Sequence, residues 1–279
     1  MTILPGAEPF GHDGSSVGVL LCHGFTGTTQ SLRPWAEHLR DAGVTVRLPR
    51  LPGHGTTWQE LNRTRWQDWY AEVEAAFEDL HTRCDRVVVG GLSMGGALAT
   101  RLAEQHGERV AGLVLVNPAY RSEDPRLRAL PVLKHLVPSL AGIGSDIALA
   151  GATELAYTRT PLRALHSVLD FWAVVVPDLP RVTQPVLLLR SARDHVVPAS
   201  SSALLLSRIS SRDVTEIVLE NSYHVATLDH DAPRILAESV RFVERVGGQR
   251  PASPRTSPPT SPTTSPTTSA PTSSPTSSP

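Results

Sequence analysis

Arg86-Val87-Val88-Val89-Gly90-Gly91-Leu92-Ser93-Met94-Gly95-Gly96-Ala97-Leu98 is the passage on which the fold turns. Arg86 to Gly90 is a β-branched run of strand type, and from Met94 to His106 apolar residues recur at helical spacing, so a strand runs into a helix across Gly91 to Gly95. Three fixed positions of the G-x-S-x-G kind are met by chance in roughly one chain in ten of this size, so the pattern gains weight only from that setting. A sharp strand-to-helix turn holds the serine in a strained backbone conformation. Side chains two residues to either side would collide, and glycines at 91 and 95 remove the collisions. The bland alternative is a small-residue turn that only packs helix on strand.

Outward from this turn the same alternation repeats. Val17 to Cys22, Val44 to Leu48, Val110 to Val116, Pro185 to Arg190 and Val214 to Leu219 are near-continuous apolar runs, as strands covered on both faces require. Gln30 to Asp41, Thr64 to Thr82, Ala199 to Ile209 and Ala232 to Val246 carry apolar residues at helical spacing, with Gly43 placed to end the first. The pattern predicts a doubly wound α/β domain, mostly parallel, with helices on both faces and its chemistry at the carboxyl ends of the strands. From about Ala119 to Val182 no strand-like run occurs, and prolines, glycines and short helical pieces such as Leu162 to Val176 read as an insertion placed to cover a pocket.

With 279 residues, 40% of them hydrophobic, the chain can bury one α/β core, and its formal net charge of −1 lacks the basic excess of a nucleic-acid binder. Cys22 and Cys84, the two cysteines, provide neither a disulfide framework nor a four-ligand zinc site, and read as buried thiols. The first residues, MTILPGAEPFGHDGSS, show no signal-peptide pattern, and no run approaches a membrane span, which reads as a soluble cytoplasmic protein. From Pro251 to Pro279 only Ser, Thr, Pro, Ala252, Ala270 and Arg255 occur. Such a stretch has no apolar face to offset its ordering entropy and is expected to be a disordered tail behind a folded body of residues 1–250.

A serine hydroxyl needs a base within hydrogen-bond reach and a third group to orient that base. Asp194 follows the strand at Pro185 to Arg190, and His224 follows the strand at Val214 to Leu219. The chain order Ser93, Asp194, His224 is that of the α/β-hydrolase fold. His195 and His230 compete as the base and Asp229 and Asp231 as the acid, but the histidines read as loop residues and the aspartates as caps of the helix from Ala232. The backbone N–H of Met94, at the helix start, and that of Phe25, after the strand ending at Cys22, are the candidate donors to an oxyanion. His23 reads as a buried hydrogen-bonding histidine, and no HxxE or HExxH zinc spacing accompanies it.

Together with His23-Gly24-Phe25-Thr26-Gly27, Gly53-His54-Gly55-Thr56-Thr57, Asp194-His195-Val196-Val197-Pro198 and Glu220-Asn221-Ser222-Tyr223-His224-Val225-Ala226-Thr227-Leu228-Asp229, the passage at Ser93 resembles the bacterial monoacylglycerol lipases and the related small carboxylesterases of Bacillus type. The resemblance implies a catalytic triad of Ser93, Asp194 and His224, an oxyanion hole of Phe25 and Met94, and no metal or organic cofactor. It further implies a cap of residues about 119–183, in which Glu154 contacts the glycerol hydroxyls and Ile143 narrows the acyl channel. Composition alone makes Glu154 a solvated helix residue. The implied reaction is cleavage of a monoacylglycerol, a small lipid-like ester, to glycerol and a fatty acid through an acyl-enzyme, with a general carboxylesterase, an acyl-thioesterase or a non-catalytic binder of apolar ligands as rivals. Leu130, Val132, Leu133, Leu136, Val137 and Leu140 are expected to line the acyl tunnel, touch a lipid surface transiently, or pack on a second subunit, which allows a monomer or a homodimer.

Overall fold

The structure, a computed structural model, describes residues 2–142 and 145–248. Ile143 and the Ser/Thr/Pro stretch lie outside the described residues. β1 (Phe10–His12) and β2 (Val17–Cys22) lead to α1 (Arg33–Asp41) and β3 (Thr45–Leu48), and α2 (Trp58–Leu61) and α3 (Trp66–His81) lead to β4 (Arg86–Leu92), α4 (Met94–His106) and β5 (Val110–Val116). The chain then leaves the sheet through α5 (Leu130–Leu136), β6 (Ser139–Ala141), β7 (Arg159–Pro161) and α6 (Leu162–Asp178). It returns as β8 (Val186–Ser191), α7 (Ala199–Arg208), β9 (Val214–Leu219) and α8 (Ala232–Gly247).

Seven strands form one sheet in the order β1-β3-β2-β4-β5-β8-β9, with only β1 antiparallel to its neighbour. The strands are buried on both sides because successive side chains point to opposite faces. Leu20, Cys22, Val87 and Val89 pack with α3, α4 and α6 through Trp69, Phe77, Leu98 and Phe171. Val19, Leu21 and Val88 pack on the other face with α1 and α8 through Trp35, Leu39 and Phe242. Each such Val or Leu taken fully out of water contributes about 1.5–3 kcal/mol, which is why alternation is absent from these runs.

From β2 the chain adds β3 to one side and later β4 to the other, so the strand order reverses between β2 and β4, where α/β sheets open a crevice at their carboxyl ends. Cys22 lies opposite Gly91 in that ladder, which sets the loop after β2 beside Ser93. Further along the same edge, Val116 lies opposite Leu189 and Ser191 opposite Leu219, so the loops after β5, β8 and β9 emerge at one end.

Three strands escaped the sequence reading. β1 is a three-residue edge strand, and Ser139–Ala141 pairs with Arg159–Pro161 as an antiparallel ladder inside the stretch where no strand was expected. Segments this short contain too few side chains for a period to show. In the same stretch α6 sends Val168, Phe171 and Val175 into the core shared with α3 and α4, serving as the crossover helix that the parallel pair β5 and β8 requires.

Candidate active site

Ser93 stands between β4 and α4 with φ 57° and ψ −120°, a region that non-glycine residues rarely enter and that costs about 1–3 kcal/mol. The surroundings fix it there. Its N–H donates to the Val116 carbonyl (3.0 Å), and its own carbonyl accepts from Gly96 N (3.0 Å) and Ala119 N (3.1 Å). A Cβ on Gly91 would fall on the Gly95 carbonyl, and one on Gly95 would fall on the Cys22 carbonyl, both far inside any real contact. The glycines thus let β4 fold back onto α4 and α4 press against the end of β2.

Asp194 and His224 meet although 30 residues separate them: Asp194 Oδ2 accepts from His224 Nδ1 at 2.8 Å, and both side chains are under 10% exposed. Asp194 Oδ1 accepts from Val196 N and Val197 N, each at 2.8 Å, so the carboxylate cannot swing. With Nδ1 held as the donor, Nε2 is the nitrogen left to take up a proton. Burial acts to lower the His224 pKa, but the bond and charge of Asp194, with Glu154 and Asp146 beyond, outweigh it and leave the pKa raised.

The other candidate residues make different contacts. The His195 side chain is 60% exposed and turned to Asp146, and His230 is exposed. Asp229 accepts from the backbone N–H groups of Ala148, Leu149, Tyr223 and His230. Asp231 stands at the N-cap position of α8 but makes no side-chain cap bond there; its carboxylate accepts from Asn221 N, Asn221 Nδ2 and Ser222 Oγ. The capping role expected of these aspartates is therefore replaced by bracing of the loop that carries His224. Asn117, at positive φ after β5, is a further brace absent from the sequence reading. Its Nδ2 donates to the His224 carbonyl (2.8 Å), and its Oδ1 accepts from Ser191 N (2.7 Å).

Beside Ser93 runs the loop after β2. A Cβ on Gly24 would stand 3.5 Å from that of Ser93. His23 is fully buried, accepts from Leu51 N at Nε2 (3.1 Å) and is left to donate from Nδ1 to the Gly24 carbonyl (3.0 Å). Burial lowers its pKa to about 4, so the ring stays neutral and holds the loop at every physiological pH. The Phe25 N–H donates to no acceptor among the described residues, and Met94, first residue of α4, has no helical carbonyl behind it to bond.

Ser93, Met94, Phe25, Glu154 and His224 line one cavity of about 220 Å³, walled by apolar side chains that include Leu127, Leu165, Val168, Trp172 and Val197. A second cavity of about 590 Å³ shares Arg121, Ser122, Asp124, Leu127 and Trp172 with it. None of the six apolar residues between Leu130 and Leu140 lines the cavity at Ser93; Val132, Leu136 and Leu140 are exposed. Glu154 is half-buried, and a Cβ on Gly27 would come within 2.5 Å of its Oε1, so Gly27 makes room for the carboxylate. Burial pushes its pKa up against the pull of His224 and the Ser31 hydroxyl. Gln30 fixes the flanking backbone by donating to the Thr153 carbonyl (3.2 Å) and accepting from Leu155 N (2.9 Å). Nothing in the sequence pattern marked Gln30 or Ser31. Among the described residues no cluster of three or more His, Cys, Asp or Glu side chains could hold a metal ion, and no helix is long and apolar enough to cross a membrane.

The Hydrolase_4 family model, described as serine aminopeptidase, S33, matches residues 16–231. The chain belongs to the Hydrolase_4 family. Within reach of this family membership, the chain is 42% identical over 247 residues to a thermostable monoacylglycerol lipase of Bacillus sp. (strain H-257), covering 88% of this chain and 98% of the relative. It is 25% identical over 240 residues to a carboxylesterase of Bacillus subtilis (strain 168), covering 86% and 97%. Among solved structures, one from work on the metagenome-derived lipolytic enzymes LipS and LipT is 46% identical, with a TM-score of 0.85 over 88% of this chain and 100% of that one. The monoacylglycerol lipase of Paleococcus ferrophilus, at 20% identity and a TM-score of 0.73 over 88% of this chain and all of its own, shares the α/β-hydrolase fold.

Proposed function

We propose that this Hydrolase_4 member cleaves monoacylglycerols to glycerol and a fatty acid through an acyl-enzyme on Ser93. The observation that carries the reading is the convergence of Ser93, His224, which is bonded to the buried Asp194, and Glu154 on one largely apolar cavity. The likeness to a monoacylglycerol lipase along nearly all of that relative's length supports it.

In the proposed reaction Ser93 Oγ attacks the ester carbonyl carbon while its proton passes to His224 Nε2, and Asp194 stabilises the imidazolium. The N–H groups of Phe25 and Met94 donate to the oxyanion, aided by the positive end of α4. Collapse breaks the bond to the glycerol oxygen, which takes the proton from His224 and leaves. Water then attacks the acyl carbon, giving its proton to His224. The second tetrahedral intermediate releases the fatty acid, and the proton returns to Ser93. The segment that leaves the sheet between β5 and β8 acts as the cap, presenting Glu154 as an acceptor for the two free glycerol hydroxyls.

Rates on a monoacylglycerol, a simple alkyl ester and an acyl-CoA test the assignment, together with labelling by a serine-directed phosphonate in the native protein and in S93A. We expect an adduct lost in S93A and the highest kcat/KM on the monoacylglycerol. Equal or better rates on the other two substrates would sink the glyceride assignment, and absence of adduct in the native protein would favour a binding module.

A further inference from the structure

His224 lies on a loop beyond β9, where no sheet partner satisfies its backbone. A buried N–H must nevertheless find an acceptor. For His224 that acceptor is the carboxylate of Asp146, in the segment between β6 and β7: Oδ2 accepts from His224 N at 3.0 Å and from His195 N at 3.2 Å, and Oδ1 is bonded to His195 Nδ1 at 2.8 Å. The Asp146 carbonyl accepts from Val225 N at 3.1 Å, and its side chain is only 12% exposed. One carboxylate therefore bonds to the backbone of the base and to the backbone of the residue next to Asp194.

The hold is reciprocal. Asp229, beyond His224, sends its carboxylate the other way, accepting from Ala148 N (2.7 Å) and Leu149 N (2.8 Å), and also from Tyr223 N (2.9 Å) within the His224 loop. His224 is then fixed at three atoms: its N–H by Asp146, its carbonyl by Asn117 and its Nδ1 by Asp194. Of these three partners Asp146 alone belongs to the inserted segment.

We infer that Asp146 is a positioning residue for the base, setting the spacing of the Asp194 and His224 loops from the inserted segment, and that this segment is part of the catalytic scaffold rather than only a cover. The inference rests on the ester-hydrolase reading. A displaced base costs rate more than affinity, and a shift of about 1 Å is enough for a loss on the order of a hundredfold.

The test uses the full chain and a short soluble ester, p-nitrophenyl butyrate, with the native protein, D146A and D146N, and S93A as the blank. We expect D146A to lose about ten- to a hundredfold in kcat with KM nearly unchanged, the signature of a group that acts in the transition state. D146N keeps an oxygen for the two backbone N–H groups and offers its amide to a His195 ring in the other tautomer, so kcat is largely rescued. The carboxylates facing His224 are Asp194, Glu154 and Asp146, with His195 behind the last. Removing the Asp146 charge in either variant therefore moves the acid limb of kcat/KM to lower pH. Where D146A does not fold, D146N carries the test: a lowered limb with kcat preserved supports the inference, and an unmoved limb overturns it. A folded D146A with native kcat and pH profile overturns it alone. A native chain inert to ester and phosphonate overturns the hydrolase reading and this inference with it.

Discussion

At His224 two effects oppose each other, and their balance fixes how activity and stability depend on pH. Burial disfavours the imidazolium, while Asp194, Glu154 and Asp146 favour it, and the carboxylates win. In the proposed mechanism His224 is the base and works only when neutral, so the acid limb of kcat/KM is expected above the ordinary histidine value of about 6.5, with activity rising as pH rises through it. Stability runs the other way: a raised folded-state pKa contributes stability that is fully present below the unfolded pKa and is lost as pH rises through the folded one. A pH–rate profile on a soluble ester checks the first point, and a limb below 6.5 would contradict it. E154Q is expected to move that limb to lower pH by removing one of the carboxylates that face His224. E154A should weaken use of a monoacylglycerol more than use of a simple alkyl ester; an equal loss on both would overturn the proposed contact of Glu154 with glycerol.

Among the elements, the junction of β4 and α4 is the most tightly constrained. Gly95 has the Cys22 carbonyl where a methyl group would stand, and both ends of that contact are backbone, so neither can turn aside as a side chain would. G95A is therefore expected to cost at least about 1–3 kcal/mol, lowering Tm by roughly 2–4 °C for each kcal/mol in a domain of this size. Thermal unfolding followed by circular dichroism measures it, and an unchanged Tm would show that α4 can move off β2. The turn and the helix it starts were legible beforehand, because a strand covered on both faces reads as an apolar run and a strained serine needs small neighbours. β6 and β7 were not, since each is three residues long, too short to carry a period.

For the molecule as a whole, reversal of strand order between β2 and β4 puts the Ser93 turn and the Phe25 loop at one crevice, and the parallel order β4-β5-β8-β9 brings the Asp194 and His224 loops to the same edge. The last described helix, α8, seats Phe242, Val243 and Val246 in the core, and residues 251–279 carry no large apolar side chain to add to it. Removing 251–279 is therefore expected to leave Tm and ester hydrolysis unchanged; a fall in either would give the Ser/Thr/Pro stretch a part in the fold or the site. By itself the sequence determined the α/β class and the strained serine, and suggested the order Ser93, Asp194, His224 on which the proposed mechanism rests, because each is written in neighbouring residues: apolar runs, helical spacing and paired glycines. Only the tertiary structure decided that Asp229 and Asp231 brace the His224 loop, and that Asn117, Gln30 and Asp146 hold the residues around the cavity. Those contacts join short polar side chains to backbone atoms far away in sequence, and a hydrogen bond of that kind leaves no period and no local motif to read.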